Sequence, residues 1–534
     1  MRNRLLISSV AAAFLLITVV LRSGATPGEL SPPSIASVTP LPSDYTEPDL
    51  WLQPTEPHDA ISARVPQDAL VVADSRDSSQ PWLGSMTRLV DSNTLLDLPE
   101  FHPMNPVNCR PVSPRPDGRV LAVPVGWVGP STHTVPPSCD TYGLELRLFD
   151  LERWDWVQRL GGRMYNISAL TWSADGGHLY AVGDGGLMIF DATGHSEPRL
   201  VPLPAGTIWR WVVAPDDSAL YILVYDRDPE ERAVLAKGLA FLVVLDLMTG
   251  MERARIILPG LKIGYRHDVE EDVSKGYPLY EPGMVMAPDG SRMYVAYPDK
   301  PVIDVINLRE HRVERTVRTD RQAGIIERLL DIFAQTAEAK GGPQFSKQLT
   351  VSPDGRWLYV TGWSSSFEPA EDSGGYWEVY QPVGVTAVDT KTWQVQQMDA
   401  RAYKMTLSPD GAWLYLEEPP LTNRAGVSEG EHKRYWAGSG LRVLEAASGR
   451  QMAVLAEGKN PLQITLQGND RLYLTVPGPD FGTAPEFLTD NQRQQWYRQE
   501  RKMADLMSFE VGSWRQLALR HGHLNLSVVA MLSR

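Results

Sequence analysis

Along most of the chain, apolar and polar residues alternate in short runs of period two, and each run ends at a turn sequence. Gln348-Leu349-Thr350-Val351 leads into Ser352-Pro353-Asp354-Gly355, and Trp357-Leu358-Tyr359-Val360 leads out. Alternation of this period, bounded by turn residues, predicts strands rather than helices. The turn has its own chemistry: Pro presets φ, Asp bonds the local backbone, and Gly takes the left-handed position. Ser408-Pro409-Asp410-Gly411 and Ala287-Pro288-Asp289-Gly290 repeat it. Weaker copies are Pro116-Asp117-Gly118, Ala174-Asp175-Gly176, Pro215-Asp216-Asp217 and Gly468-Asn469. Asp217 stands where the other copies carry Gly, a substitution that Asp tolerates at some cost.

A second phrase follows each first one: an apolar run, an acid, then a turn. Met188-Ile189-Phe190-Asp191, Val243-Val244-Leu245-Asp246 and Ala387-Val388-Asp389 are examples. Each unit thus reads as a four-stranded meander. The tyrosines of successive copies, Tyr180, Tyr221, Tyr294, Tyr359, Tyr415 and Tyr473, are spaced as expected for units of about 40–50 residues with inserted loops. A single meander leaves both faces bare, and stacking meanders in a ring covers them.

The two phrases together resemble the YVTN-type repeats of the WD-repeat-like β-propeller superfamily, over about residues 66–534. The resemblance implies an all-β chain with a single propeller. Seven phrases plus an extra half-unit at Ala69–Asp91 predict eight four-stranded blades, with seven as the alternative. N- and C-terminal strands are expected to share one blade and close the ring. The fold itself implies no activity, because propellers carry many.

The N-terminus breaks the pattern. Arg2 and Arg4 precede Leu5–Leu21, a run of 17 residues without charge, and small residues follow to Ala25. Residues 1–25 therefore read as a signal peptide or a signal anchor, which places the propeller outside the cytoplasm, secreted or membrane-anchored. Residues 26–65 are Pro-rich and polar, a stiff linker. On this reading only the N-terminal segment meets a membrane.

Strands that run up and down put the two tight turns on one face of the ring. The other connections lie opposite, and these are long: 124–142, 226–239, 259–283, 318–347, 362–384, 417–440 and 477–505. Long loops clustered on one face mark it as the binding face. Cys109 and Cys139, the two cysteines of the chain, fall on that face of one blade and are expected to form a disulfide outside the cytoplasm. Residues 322–340 and 485–507 carry helix-like apolar stripes.

Candidate binding residues lie in these loops. Trp363, Tyr376 and Trp377 occupy one, and His432, Tyr435 and Trp436 the next; exposed aromatics beside polar groups suit a sugar or peptide. Arg266 and His267 sit in a third, whose acids also admit a weak cation reading. No nucleophile elbow, phosphate loop, dinucleotide fingerprint or zinc-protease motif occurs, so no catalytic residue, metal ligand or cofactor is assigned. The net charge of −14, without a Lys/Arg block, argues against nucleic acid. The sequence thus predicts a binding or scaffold protein for a protein, peptide or glycan ligand. The alternative is a propeller enzyme, a lactonase-like hydrolase or dehydrogenase subunit, with its site at the channel mouth.

Overall fold

The computed structural model describes residues 69–74, 86–98, 113–126, 144–160, 164–184, 186–193, 196–204, 206–225, 239–265, 279–319, 344–369, 376–419, 437–478, 504–522 and 527–531. All belong to the compact unit Pro54–Arg534. The N-terminal segment, the linker up to residue 65, Cys109, Cys139 and the stripe at 322–340 lie outside the described residues.

β1 (Ala69–Asp74) pairs with β2 (Met86–Asp91). The first blade is β3 (Ser113–Pro114), β4 (Val120–Gly126), β5 (Leu144–Asp150) and β6 (Asp155–Arg159). The second is β7 (Tyr165–Trp172), β8 (His178–Asp184), β9 (Gly186–Asp191) and β10 (Arg199–Val201). The third is β11 (Thr207–Val213), β12 (Ala219–Tyr225), β13 (Ala240–Asp246) and β14 (Glu252–Leu258). Two short strands, β15 (Gly264–Tyr265) and β16 (Leu279–Glu281), precede the fourth blade. That blade is β17 (Gly283–Met286), β18 (Arg292–Ala296), β19 (Val302–Asn307) and β20 (Arg312–Arg318). The fifth is β21 (Gln344–Val351), β22 (Trp357–Pro369), β24 (Val385–Asp389) and β25 (Val395–Asp399), with β23 (Tyr376–Pro382) paired to β22. The sixth is β26 (Lys404–Leu407), β27 (Trp413–Glu417), β29 (Leu441–Glu445) and β30 (Gln451–Leu455). β28 (Ala437–Gly438) and β31 (Gly458–Lys459) form a separate short pair. The seventh blade is β32 (Gln463–Gln467), β33 (Arg471–Pro477), β34 (Ala504–Glu510) and β35 (Gln516–Gly522), and β36 (Ser527–Met531) ends the set.

The chain is therefore an all-β single propeller with seven four-stranded blades among the described residues, the alternative count rather than the expected eight. The half-unit at the start does not grow into a further four-stranded blade. β1 and β2 instead join β36 in a three-stranded sheet, order β2-β1-β36. Leu70, Val72, Val90 and Leu95 pack against Tyr473, Ala504 and Leu506 of the seventh blade. Ala69, Val71 and Leu89 pack against Leu121, Val123 and Phe149 of the first. The first and last described strands thus meet in the sheet that separates the last blade from the first.

The repeat phrases explain the local structure. Ser352 Oγ and the Arg356 amide donate to Asp354 Oδ1 at 2.5 and 3.0 Å, and the Trp357 amide donates to Ser352 Oγ at 2.8 Å. Ser408 and Asp410 make the same set. Gly355 has φ of +70°, and Asp217 takes the equivalent turn position at +55°. The second turn is capped by its acid: the Lys391 and Thr392 amides donate to Asp389 Oδ1, both at 2.9 Å. Each repeat tyrosine is buried on its blade's second strand. Tyr359 OH donates to the Ala446 carbonyl of the next blade at 3.4 Å, and Tyr473 OH donates to Gln467 Oε1 at 2.8 Å. Each gap between neighbouring sheets holds its own apolar cluster, so the core is a ring of layers rather than one centre; a buried aromatic or aliphatic side chain contributes about 1.5–3 kcal/mol there.

Two expected features change. Residues 362–384 are not an irregular loop, because β22 continues to Pro369 and pairs with β23 from Tyr376 to Pro382. Of the expected helical stripe at 485–507, Ala504–Met507 instead belong to β34 and pair with β33, and 485–503 lie outside the described residues. In both places alternating apolar residues follow an established strand pairing, and the continuing ladder satisfies backbone groups that a loop leaves open.

Candidate functional site

The two faces of the ring differ. On the tight-turn face the Pro-Asp-Gly turns of neighbouring blades touch: a Cβ on Gly411 would lie 2.8 Å from Pro353 Cδ, and one on Gly176 would lie 2.9 Å from Arg115 Cγ. A polar cavity of about 630 Å³ nevertheless opens on this face, lined by Tyr221 of the third blade and by Asp289, Gly290 and Arg309 in two turns of the fourth. The opposite face carries the connections between second and third strands and between blades.

On that face the fifth blade grows a sheet beyond its own height. β21 pairs with β22 along its whole length, from Val351↔Leu358 to Gln344↔Ser365. The extended half is widened on one side by β23 and on the other by β16, parallel to β21, and then β15. The resulting order is β15-β16-β21-β22-β23. Gly362 sits where the blade passes into the extension. A Cβ there would lie 2.0 Å from the Ser346 carbonyl oxygen, so only glycine allows this approach.

Register decides what each side of the extension presents, since directly opposed residues share a face. One side carries Trp363, opposite Ser346, and Tyr380, opposite Ser365. Trp363 and Tyr380 meet edge-on with centroids 5.2 Å apart, and Tyr380 lies 6.2 Å from Tyr403 of the sixth blade. Lys404 Nζ sits 4.9 Å from the centre of the Tyr403 ring. Burial raises the Tyr403 hydroxyl above its usual range and raises the Glu417 carboxyl, which Lys404 opposes from across the β26–β27 pair. Trp363 and Tyr380 are both partly exposed, so this side is an aromatic ledge with an ammonium beside it.

The other side carries Phe345 and Lys347, in one alternating row with Leu349 and Val351. Tyr280 of β16 stacks on Phe345 at 5.2 Å and 8°. Lys262 Nζ lies 4.7 Å over the Tyr280 ring and 2.9 Å from Asp299 Oδ2. Burial alone would push the Lys262 ammonium down, and its bond to Asp299 more than offsets this. Lys347 is 8% exposed. Burial pushes its ammonium down to about 8, while the charge of Asp299 pulls it up. Asp299 Oδ1 is buried without a hydrogen-bond partner.

The channel wall adjoins this second side. A cavity of about 640 Å³ is lined by Leu170, Trp172, Trp209, Arg210, Trp211 and Met284 of first strands and by Ala174, Pro215 and Asp217 of the tight turns. Gly283, next to Met284, faces the Lys347 carbonyl at 3.0 Å from where its Cβ would stand. Arg210 Nε donates to the Pro282 carbonyl at 3.0 Å. Farther round the ring, buried Asp505 accepts from Lys459 Nζ at 2.5 Å and lies 2.6 Å from His521 Nδ1.

Of the residues expected to bind, Trp363 is on the ledge. Tyr376 and Trp377 are placed on β23 by register, opposite Pro369 and Glu368. Arg266, His267, His432, Tyr435, Trp436 and the Cys109–Cys139 pair lie outside the described residues. Tyr380, Tyr403, Lys347, Asp299, Lys262 and Tyr280 were not among the expected site residues. Lys347 had a signal: a charge in a row otherwise made of Phe345, Leu349 and Val351. Asp299 and Lys262 had none, because only the ring brings their connections beside β21.

No family model matches the chain, and no curated protein matches it. Among solved structures it is similar to the dihydro-heme d1 dehydrogenase NirN in complex with DHE, at 11% identity and a TM-score of 0.47, over 86% of this chain and 74% of that one. It is also similar to the Cps50 (Swd1) β-propeller domain of Myceliophteria thermophila, at 14% identity and TM-score 0.38, covering 69% and 93%. A third is Kuenenia stuttgartiensis hydrazine synthase, at 13% identity and TM-score 0.36, covering 69% and 92%. These likenesses go no further than the fold.

Proposed function

We propose that this is an extracytoplasmic β-propeller binding or scaffold protein that holds a peptide, protein or glycan ligand on its long-loop face. The observation that carries the reading is the aromatic ledge of Trp363 and Tyr380, raised on a sheet extension above the rim and backed by buried Tyr403. Flat rings held edge-on beside an ammonium suit the apolar faces of sugars and the side chains of extended peptides. The basic start and uncharged run of residues 1–25 support export, as a cleaved signal or as an anchor, and residues 26–65 then act as a tether. Among the described residues no helix is long and apolar enough to cross a membrane, so on this reading the membrane is met only by the N-terminal segment.

The test is binding of defined peptide and glycan arrays by the full chain, against Trp363→Ala and Tyr380→Ala. Loss of the same ligands in both variants, with the fold intact, supports the ledge as the binding surface. Unchanged binding in both removes it. A second reading, a propeller enzyme at the channel mouth, draws on buried Lys347 beside the channel wall. Turnover of a lactone or oxidisable substrate that Lys347→Gln abolishes would establish it.

A further inference from the structure

We propose that the gap between the fourth and fifth blades, bounded by Lys347, Asp299, Lys262 and Tyr280, binds a carboxylate whose neighbouring atom carries an N–H or O–H donor. This site lies on the opposite side of the sheet extension from the aromatic ledge and does not depend on it.

Lys347 is nine-tenths buried, yet among the described residues no ion pair or hydrogen bond holds its Nζ. A buried ammonium without a partner is costly unless something else meets it. Asp299 Oδ1 is the complementary case, a buried acceptor with no donor. Asp299 is held through Oδ2 by Lys262 at 2.9 Å, and its charge also acts on the Lys347 ammonium.

Charge and shape then narrow the ligand. Two ammoniums against one carboxylate leave one positive charge, which a single carboxylate balances and a phosphate dianion exceeds. A group that gives oxygens to Lys347 and a proton to Asp299 Oδ1 satisfies both. A peptide C-terminus does so with its carboxylate and last amide, and a uronic acid does so with its carboxylate and a ring hydroxyl. The stacked Tyr280 and Phe345 rings supply one wall. Gly283 packs against the Lys347 backbone, and Met284 beside it lines the channel cavity.

Calorimetric titration of the full chain at neutral pH tests this, with triglycine and glucuronate as probes and triglycinamide and glucose as neutral counterparts. The expected result is one saturable site for at least one acid and none for its neutral counterpart. Triglycine alone identifies a peptide terminus, and glucuronate alone a uronic acid. Lys347→Met and Lys347→Gln should each weaken binding about tenfold or more, the loss of one charged hydrogen bond. Both variants replace an unpaired cation and are expected to fold, which thermal unfolding checks. Trp363→Ala should leave this binding unchanged, so failure here and failure of the ledge are separable. Absence of a saturable site for both acids overturns the proposal. So does equal binding of the neutral probes, or wild-type affinity in both Lys347 variants.

Discussion

Arg442 of the sixth blade donates two hydrogen bonds to Asp399 at the end of the fifth, Nη1 to Oδ2 at 2.6 Å and Nη2 to Oδ1 at 2.8 Å. Arg442 is 4% exposed, and its Nε lies 2.6 Å from Glu418. This fork clamps two blades on the long-loop face. Removing one member strands the other charges in a dry gap, so Arg442→Ala should lose about 3–5 kcal/mol in urea unfolding. The pair also sets an acid limit. Burial pushes the Asp399 carboxyl up, but the bonds from Arg442 and the Arg401 amide outweigh it and leave it below its usual value. A depressed folded value means stability that is present above the unfolded carboxylate range, near pH 4, and lost as pH falls through the lower folded value. Asp399→Asn should flatten that loss.

Gly362 and Gly355 should respond differently to alanine. At Gly355 the new methyl meets only Pro288 at 3.6 Å, so Gly355→Ala should cost about 1 kcal/mol, the strain of a left-handed residue. At Gly362 the methyl meets a backbone oxygen at 2.0 Å. Gly362→Ala should cost about 3 kcal/mol or release the extension, seen as faster amide exchange in 344–347 and 376–382.

Lys347→Met should stabilise the protein by about 1–3 kcal/mol, as replacement of a buried unpaired ion by a side chain of similar volume does. The pH dependence has a definite sign. With the folded value near 8 and the ordinary value 10.5, the unfolded chain binds the extra proton between them. Stability of the wild type should therefore rise from about pH 8 to pH 10.5, and Lys347→Met should lack this rise. Asp299, Lys262 and Tyr280 face the same gap and stay in both proteins. A destabilised Lys347→Met would contradict the account.

Closure depends on the last strand. β1 pairs with β36 at Leu70↔Met531, Val71↔Ala530, Val72↔Val528 and Ala73↔Ser527. A chain ending at Gly522 leaves the edge of β1 open, and open edges recruit other chains. The truncated protein should exchange amide hydrogens faster in 69–74 and 86–91 and associate with rising concentration in light scattering. Unchanged exchange would mean that the apolar gaps alone hold the ring.

The repeats were legible because their chemistry is local. Ser352, Asp354 and Gly355 fix their turn from within six residues, and Tyr359 marks the strand beside it. The strand continuation through Trp363 was harder to read, since Ser364-Ser365-Ser366 looks like a loop until β23 supplies a ladder. The blade count turned on Leu95–Leu98, which make one bridge, Val90↔Asp97, instead of a fourth strand. Lys347 was visible as a charge in an apolar row. The Lys262–Asp299 pair was not, because it joins two separate connections and leaves no spacing in the sequence.

The central claim is that ligand is held on the long-loop face by the ledge. The most direct measurement is the array binding profile of the wild type beside Trp363→Ala and Arg309→Ala, the latter on an exposed tight turn of the fourth blade. The account predicts that Trp363→Ala loses the bound ligands by about tenfold or more and that Arg309→Ala keeps them. Ligands kept by Trp363→Ala and lost by Arg309→Ala would put the binding surface on the other face and contradict it.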